Sequence, residues 1–181
     1  MKQYWQREVN RFWFKELKPE QWFTADPEVD ETIRERFEPL YEELKQDVPE
    51  KDQSTAGCCV AVILVLDQFP RNMYRDSAKS FATDSMALAV ARHAILEGFD
   101  VALTPTERQF IYMPFQHSED REVQELSVKL FSRLGNPEAL AYAERHKAVI
   151  DAYGRFPHRN KALGRASTPA EKKHLKDHPF L

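Results

Sequence analysis

Apolar residues recur every three to four positions along most of this chain, which is the period of one helix face. Trp5, Val9, Phe12, Trp13 and Leu17 mark a first helix, with Phe14 off the stripe and free to meet Trp22 and Phe23. Asp26-Pro27-Glu28 combines an N-cap, a proline at the first helical position and an early acid. Val29, Ile33, Phe37, Leu40, Tyr41 and Leu44 then line a second helix, in which Pro39 should cause a kink or start a new turn. From Cys58 to Leu66 the chain is apolar without a break. Periodicity alone fits a buried strand or a buried helix here. No other segment reads as a strand to pair with it, so the run is predicted to be a central helix, apolar all round because it is surrounded. Asp76 or Ser77 is expected to cap the next helix, with Phe81, Met86, Leu88, Ala89 and Ile95 inward and Gly98 at its end.

Three later helix starts look alike. Thr104-Pro105-Thr106-Glu107 and Thr168-Pro169-Ala170-Glu171 are capping boxes, and Asn136-Pro137-Glu138 is a proline-started cap. They stand 32 residues apart, close to the ~34-residue period of tetratricopeptide helix pairs. The pattern predicts an all-α, tetratricopeptide-like array of antiparallel helices. Residues 1–181 are expected to form a single helical domain, with a polar connection at 46–56 and a terminal helix and tail at 169–181.

Composition narrows the function classes. Five glycines are few for a β-protein, while 42% hydrophobic and 12% aromatic residues supply a large core. A net charge of −3 argues against nucleic acid as the main partner. Acidic residues dominate 20–52. Basic ones dominate 144–178, which also holds His146, His158, His174 and His178. The adjacent Cys58 and Cys59 are too close in sequence to bridge readily and read as buried, reduced thiols. The polar start, Met1 to Glu8, is not a signal peptide, and no apolar run reaches the ~20 residues that span a bilayer. A cytoplasmic protein is expected, with no membrane association.

Candidate chemistry gathers at helix ends. Asp67-Gln68-Phe69-Pro70-Arg71-Asn72 and Arg155-Phe156-Pro157-His158-Arg159-Asn160 each read as a helix end, a Phe-Pro turn and an Arg-Asn pair. Donors there can satisfy exposed carbonyls. They can equally face one cavity, where the forked guanidiniums of Arg71 and Arg159 would hold a carboxylate or phosphate. Arg108 and Tyr112 share one helix face, and Pro114 is expected to limit that helix. His117 falls in a short connection before Ser118-Glu119-Asp120, with Ser118 as the next cap. It is expected to add little to the core. There His117, with Glu119, could do acid–base work. His146 sits on the face of Tyr142, Val149, Ile150 and Tyr153 and reads as a satisfied core histidine. No nucleotide, metal or nucleophile-elbow motif occurs, and no cofactor is expected.

These segments together resemble a bacterial family. Phe12-Trp13-Phe14, the Asp67–Asn72 run, Phe81-Ala82 with Asp84, Glu107-Arg108, His117-Ser118-Glu119-Asp120 with Gln124, and the Arg155–Asn160 run followed by Leu163-Gly164-Arg165 and Ser167-Thr168 look like the domain-of-unknown-function family nine-two-four. The resemblance covers nearly the whole chain. It implies an all-helical, tetratricopeptide-like fold and brings no established activity. Three functions follow from the residues. The first is a pocket for a small anionic or polar ligand, lined by Asp67, Arg71, Asn72, Arg108, Tyr112, Arg155, His158, Arg159 and Asn160. The second is a hydrolase or isomerase using His117 and Glu119. The third is a module binding a protein or peptide along a concave groove.

Overall fold

A computed structural model describes residues 4–178, and among these every regular element is helical. The chain runs through α1 (Trp5–Arg11), α2 (Pro27–Leu44), α3 (Ala56–Ile63), α4 (Phe69–Met73), α5 (Asp84–Leu96), α6 (Pro105–Gln116), α7 (Arg121–Leu134), α8 (Pro137–Tyr153) and α9 (Pro169–Asp177). Residues Met1 to Gln3 of the polar start, and residues 179–181 of the tail, lie outside the described residues.

The uninterrupted apolar run is helical, as its lack of a partner strand predicts. Thr55 caps α3 by accepting from the Cys58 N–H, and every residue from Cys59 to Pro70 is buried. α1, α5 and α6 pack around it, which explains why it has no polar face. Each fully buried Leu, Ile or Val here contributes about 1.5–3 kcal/mol. α2 closes the core through Ile33, Phe37, Tyr41 and Leu44, with the Phe37 ring 4.9 Å from that of Phe69. Phe14 does meet Trp22, at 6.0 Å between ring centroids.

α5, α6, α7 and α8 pack each on the next in chain order, an arrangement compatible with helix-pair stacking. Thr104, Asn136 and Thr168 all cap as expected. The even spacing does not mark three equal pairs, however. α6 and α7 lie between the first two caps, whereas α8 and only a short 3-10 turn, Pro157–Arg159, lie before the third. Gly135 and Gly154 end α7 and α8 with φ of 76° and 69°, the left-handed conformation that glycine adopts without penalty.

Several local expectations need correction. Pro114 does not limit its helix but lies inside α6, which runs on to Gln116. Ser77 caps only the short turn Ala78–Phe81, and α5 starts at Asp84. Asp120 caps α7 by accepting from the Val123 N–H, while Ser118 accepts from the Asp120 N–H. The connection at 46–56 is partly ordered: residues 50–53 form a turn, and Asp52 is buried against Gln6.

Candidate functional site

The first Phe-Pro segment is not a turn. After α3 the helix widens to a π-helix over Leu64–Gln68 and tightens again into α4, which contains Phe69-Pro70-Arg71-Asn72. Proline explains the widening. Pro70 has no N–H for the Leu66 carbonyl, and its ring would crowd that oxygen in a regular α-helix. The Thr83 hydroxyl donates to the Leu66 carbonyl instead, at 2.5 Å. This bond fixes the start of α5 beside the bulge and so places Asp84. Such π-bulges occur often at functional sites.

Asp67 lies in the bulge with no solvent exposure. His117 Nδ1 is 2.8 Å from its Oδ1, and Gln68 donates to Oδ2. Arg71 donates to the Asp67 carbonyl, and its Nη1 stands 3.3 Å from the carboxylate. Burial alone would raise the Asp67 carboxyl, but Arg71 and His117 hold it well below the usual carboxylate range. His117 moves down, because burial outweighs the pull of Asp67. The neutral imidazole therefore gives its Nδ1–H to Asp67, and Nε2 has no protein partner among the described residues.

Asp84 joins the two Arg-Asn segments. It takes both ends of the Arg71 fork, at 2.9 and 3.0 Å, and Arg159 Nη1 at 3.0 Å. Arg159 also donates to the His117 carbonyl, and its Cζ lies 4.5 Å from the centre of the Phe81 ring and 4.7 Å from that of Phe156. Burial lowers its pKa to about 10, so it stays cationic at neutral pH. Its Nε, like His158 Nδ1, is buried with no hydrogen-bond partner among the described residues. The expectation that Arg71 and Arg159 meet is thus met, with Asp84 between them.

The remaining candidates separate. His117 is not in a solvent-facing connection; it ends α6 and is buried, because Asp67 draws the ring inward. Glu119 is held in an ion pair with Arg165. Its carboxylate accepts from Arg165 at both oxygens, and from the Phe156 N–H. Arg108 bonds the carbonyls of Asp100 and Leu103, and Tyr112 bonds the Asp100 carboxylate. They stand one to three turns up α6 from His117, and no bond ties them to the cluster. Asn72 donates to Asp30 across α2, and Arg155 grips Glu171 of α9. Asn160 donates to Ser167 and accepts from Arg165. Its neighbour His158 has its pKa pushed down, mainly by burial and then by the Arg159 cation beside it. His146 is only partly buried. Its Nδ1 donates to the Tyr142 carbonyl, and its ring lies 6.4 Å from that of His117.

Asp84, Thr83 and Arg165 are structural partners that motif reading left without roles. The signal for Thr83 lay in Pro70, which orphans a carbonyl. Asp84 looks like any acidic residue in a first helical turn. Two shallow grooves, of about 250 and 380 Å³, lie elsewhere, one at Tyr153 and His174, the other at Trp5 and Phe37. No group of three or more His, Cys, Asp or Glu is placed to hold a metal among the described residues. None of the described helices is long and apolar enough to cross a membrane.

The fold and site define an all-helical protein with a buried Asp–His pair and two arginines converging on one carboxylate. The family model described as "bacterial protein of unknown function (DUF924)" matches residues 9–178, so the chain belongs to that family. A solved structure of a protein of unknown function from Agrobacterium tumefaciens is 35% identical, with a TM-score of 0.91. The match covers 96% of this chain and 97% of that one. No curated protein matches the chain.

Proposed function

We propose that this protein binds a small molecule bearing an oxyanion at the Arg71–Arg159–His117 cluster. The observation that carries the reading is convergence. Two guanidiniums from distant segments meet at Asp84 beside the Asp67–His117 pair, and Arg159 Nε is left over as a buried donor. Forked guanidinium donors match carboxylates and phosphates. Gathering of polar groups favours a ligand site over an extended groove for a protein partner.

A second reading has its own support. Asp67 holds Nδ1 of His117 and leaves Nε2 free of protein partners, which is the geometry of a general base. In that reading the arginines position a substrate and His117 moves its proton, as a hydrolase or isomerase would require. Glu119 takes no part, because Arg165 occupies it. The free thiols of Cys58 and Cys59 support a reducing compartment such as the cytoplasm.

The test is a set of melting curves in sulfate, acetate and chloride at equal ionic strength, for wild type and Arg159→Lys. Lysine keeps the charge and loses the fork. An oxyanion should raise the melting temperature of the wild type above its value in chloride. The response should shrink several-fold in the variant, which still unfolds cooperatively. No oxyanion response in the wild type, or an equal response in both proteins, overturns the reading.

A further inference from the structure

Phe156 is fully buried, packed with Val149 and Ile150 on one side and with polar rings and a guanidinium on others. The His146 ring lies 5.4 Å from it, the His158 ring 5.6 Å, and Arg159 Cζ 4.7 Å from its centre. His117 adjoins His146 at 6.4 Å. Three imidazoles and one guanidinium thus form one cluster, contributed by the end of α6, by α8 and by the Pro157–Arg159 turn. Two nitrogens in this cluster, Arg159 Nε and His158 Nδ1, are buried without partners among the described residues. Arg159 is itself more than nine-tenths buried, so its spare donor calls for an acceptor from outside the protein.

The fixed charges of this region already cancel. Arg71 and Arg159 face Asp67 and Asp84, and Arg165 faces Glu119. A doubly charged anion entering here would add uncompensated charge, and the imidazoles are the groups able to answer it. We propose that His146 and His158 join His117 as proton acceptors in this site, so that a dianionic oxyanion of the phosphate or sulfate type is taken up together with protons. The proposal rests on the oxyanion reading above and goes further, to the charge of the ligand and the residues that answer it.

The surrounding groups set the direction. His146 faces His117, His158 and Arg159, and its pKa is pushed down to about 3, mainly by burial. His158 faces Arg159, Arg71, His117 and Glu119, and lies at about 4, again mainly through burial. His117 faces Asp67, Arg71 and Asp84. All three are neutral at pH 7 without a ligand. A bound dianion raises each of them toward neutrality, and each proton gained comes from the buffer. Binding must then tighten as pH falls from 7 toward 5.5.

Sulfate is the probe, because it does not itself titrate in this range. Calorimetric titration with sodium sulfate at pH 6.5, in two buffers of different ionisation enthalpy, measures protons exchanged per anion. Uptake on the order of one proton is expected. The double variant His146→Gln/His158→Gln should still bind sulfate but lose most of that uptake, and each single variant should lose part of it. Sulfate binding with the same heat in both buffers overturns proton coupling and leaves the oxyanion reading standing. No sulfate binding in any buffer removes both. Undiminished uptake in the double variant would assign the proton to His117 and remove the other two from the proposal.

Discussion

Replacing Asp84 with Asn probes the junction that holds the site together. The change keeps side-chain shape and removes the charge that three guanidinium hydrogen bonds share. Two cations would then face an amide, one of them more than nine-tenths buried. Breaking one side of a buried ion pair costs about 3–5 kcal/mol. Arg71 and Asp84 retain some solvent access, at 21% and 18% exposure, which places the loss near the lower end, about 3 kcal/mol. At roughly 2–4 °C per kcal/mol for a chain of this size, the melting temperature should fall by roughly 6–12 °C. Urea denaturation gives the free energy, and calorimetry gives the midpoint. Sulfate should restore more stability to the variant than it adds to the wild type, because the freed guanidiniums gain an outside acceptor. A variant within about 0.5 kcal/mol of the wild type would refute the reasoning, since that is the behaviour of a solvated surface position.

Other consequences are as direct. Thr83→Val leaves the buried Leu66 carbonyl without a donor and should cost about 1–3 kcal/mol, whereas Thr83→Ser should recover most of it; equal denaturation midpoints for the two variants would contradict the role given to the hydroxyl. Thr168→Ala should cost on the order of 1 kcal/mol, and hydrogen exchange should show the loss confined to α9 and its approach. Stability should depend on pH through the depressed histidines. Unfolded imidazoles titrate near 6.5, while His146 and His158 remain neutral in the folded chain down to about 3 and 4. The unfolded chain therefore binds more protons, and this stability is complete above about pH 6.5. It declines as pH falls toward 4, by up to about 1.4 kcal/mol per pH unit for each imidazole. A urea midpoint unchanged between about pH 7.5 and 5 would contradict that assignment.

Helix positions were legible in the sequence because caps and apolar faces act locally. Asp26, Thr104, Asn136 and Thr168 each cap a helix from within three residues of the group they satisfy. The site was legible in part. The repeated Phe-Pro and Arg-Asn pairs, with one residue inserted between them in the second copy, pointed to convergence of Arg71 and Arg159, and the structure places both on Asp84. What escaped is non-local. His117 looks exposed when read between Pro114 and Ser118, because its partner Asp67 lies fifty positions away in sequence. Glu119 looks available for catalysis because Arg165 and the Phe156 amide reach it from another segment. Arg108 and Tyr112 share a face, as spacing requires, but that face meets Asp100 rather than Asp84. Pro70 produces a π-bulge instead of a turn because the Thr83 hydroxyl, thirteen residues on, replaces the missing donor.

Nuclear magnetic resonance of guanidinium and imidazole nitrogens during a sulfate titration tests the central claim most directly. Arg159 Nε and the ring nitrogens of His117 and His158 should shift first, saturate together, and do so at concentrations where Arg145 and His174 in the outer groove stay unchanged. Shifts confined to Arg145 and His174, with Arg159 Nε unmoved at saturation, would contradict an oxyanion site at the Asp67–His117 cluster.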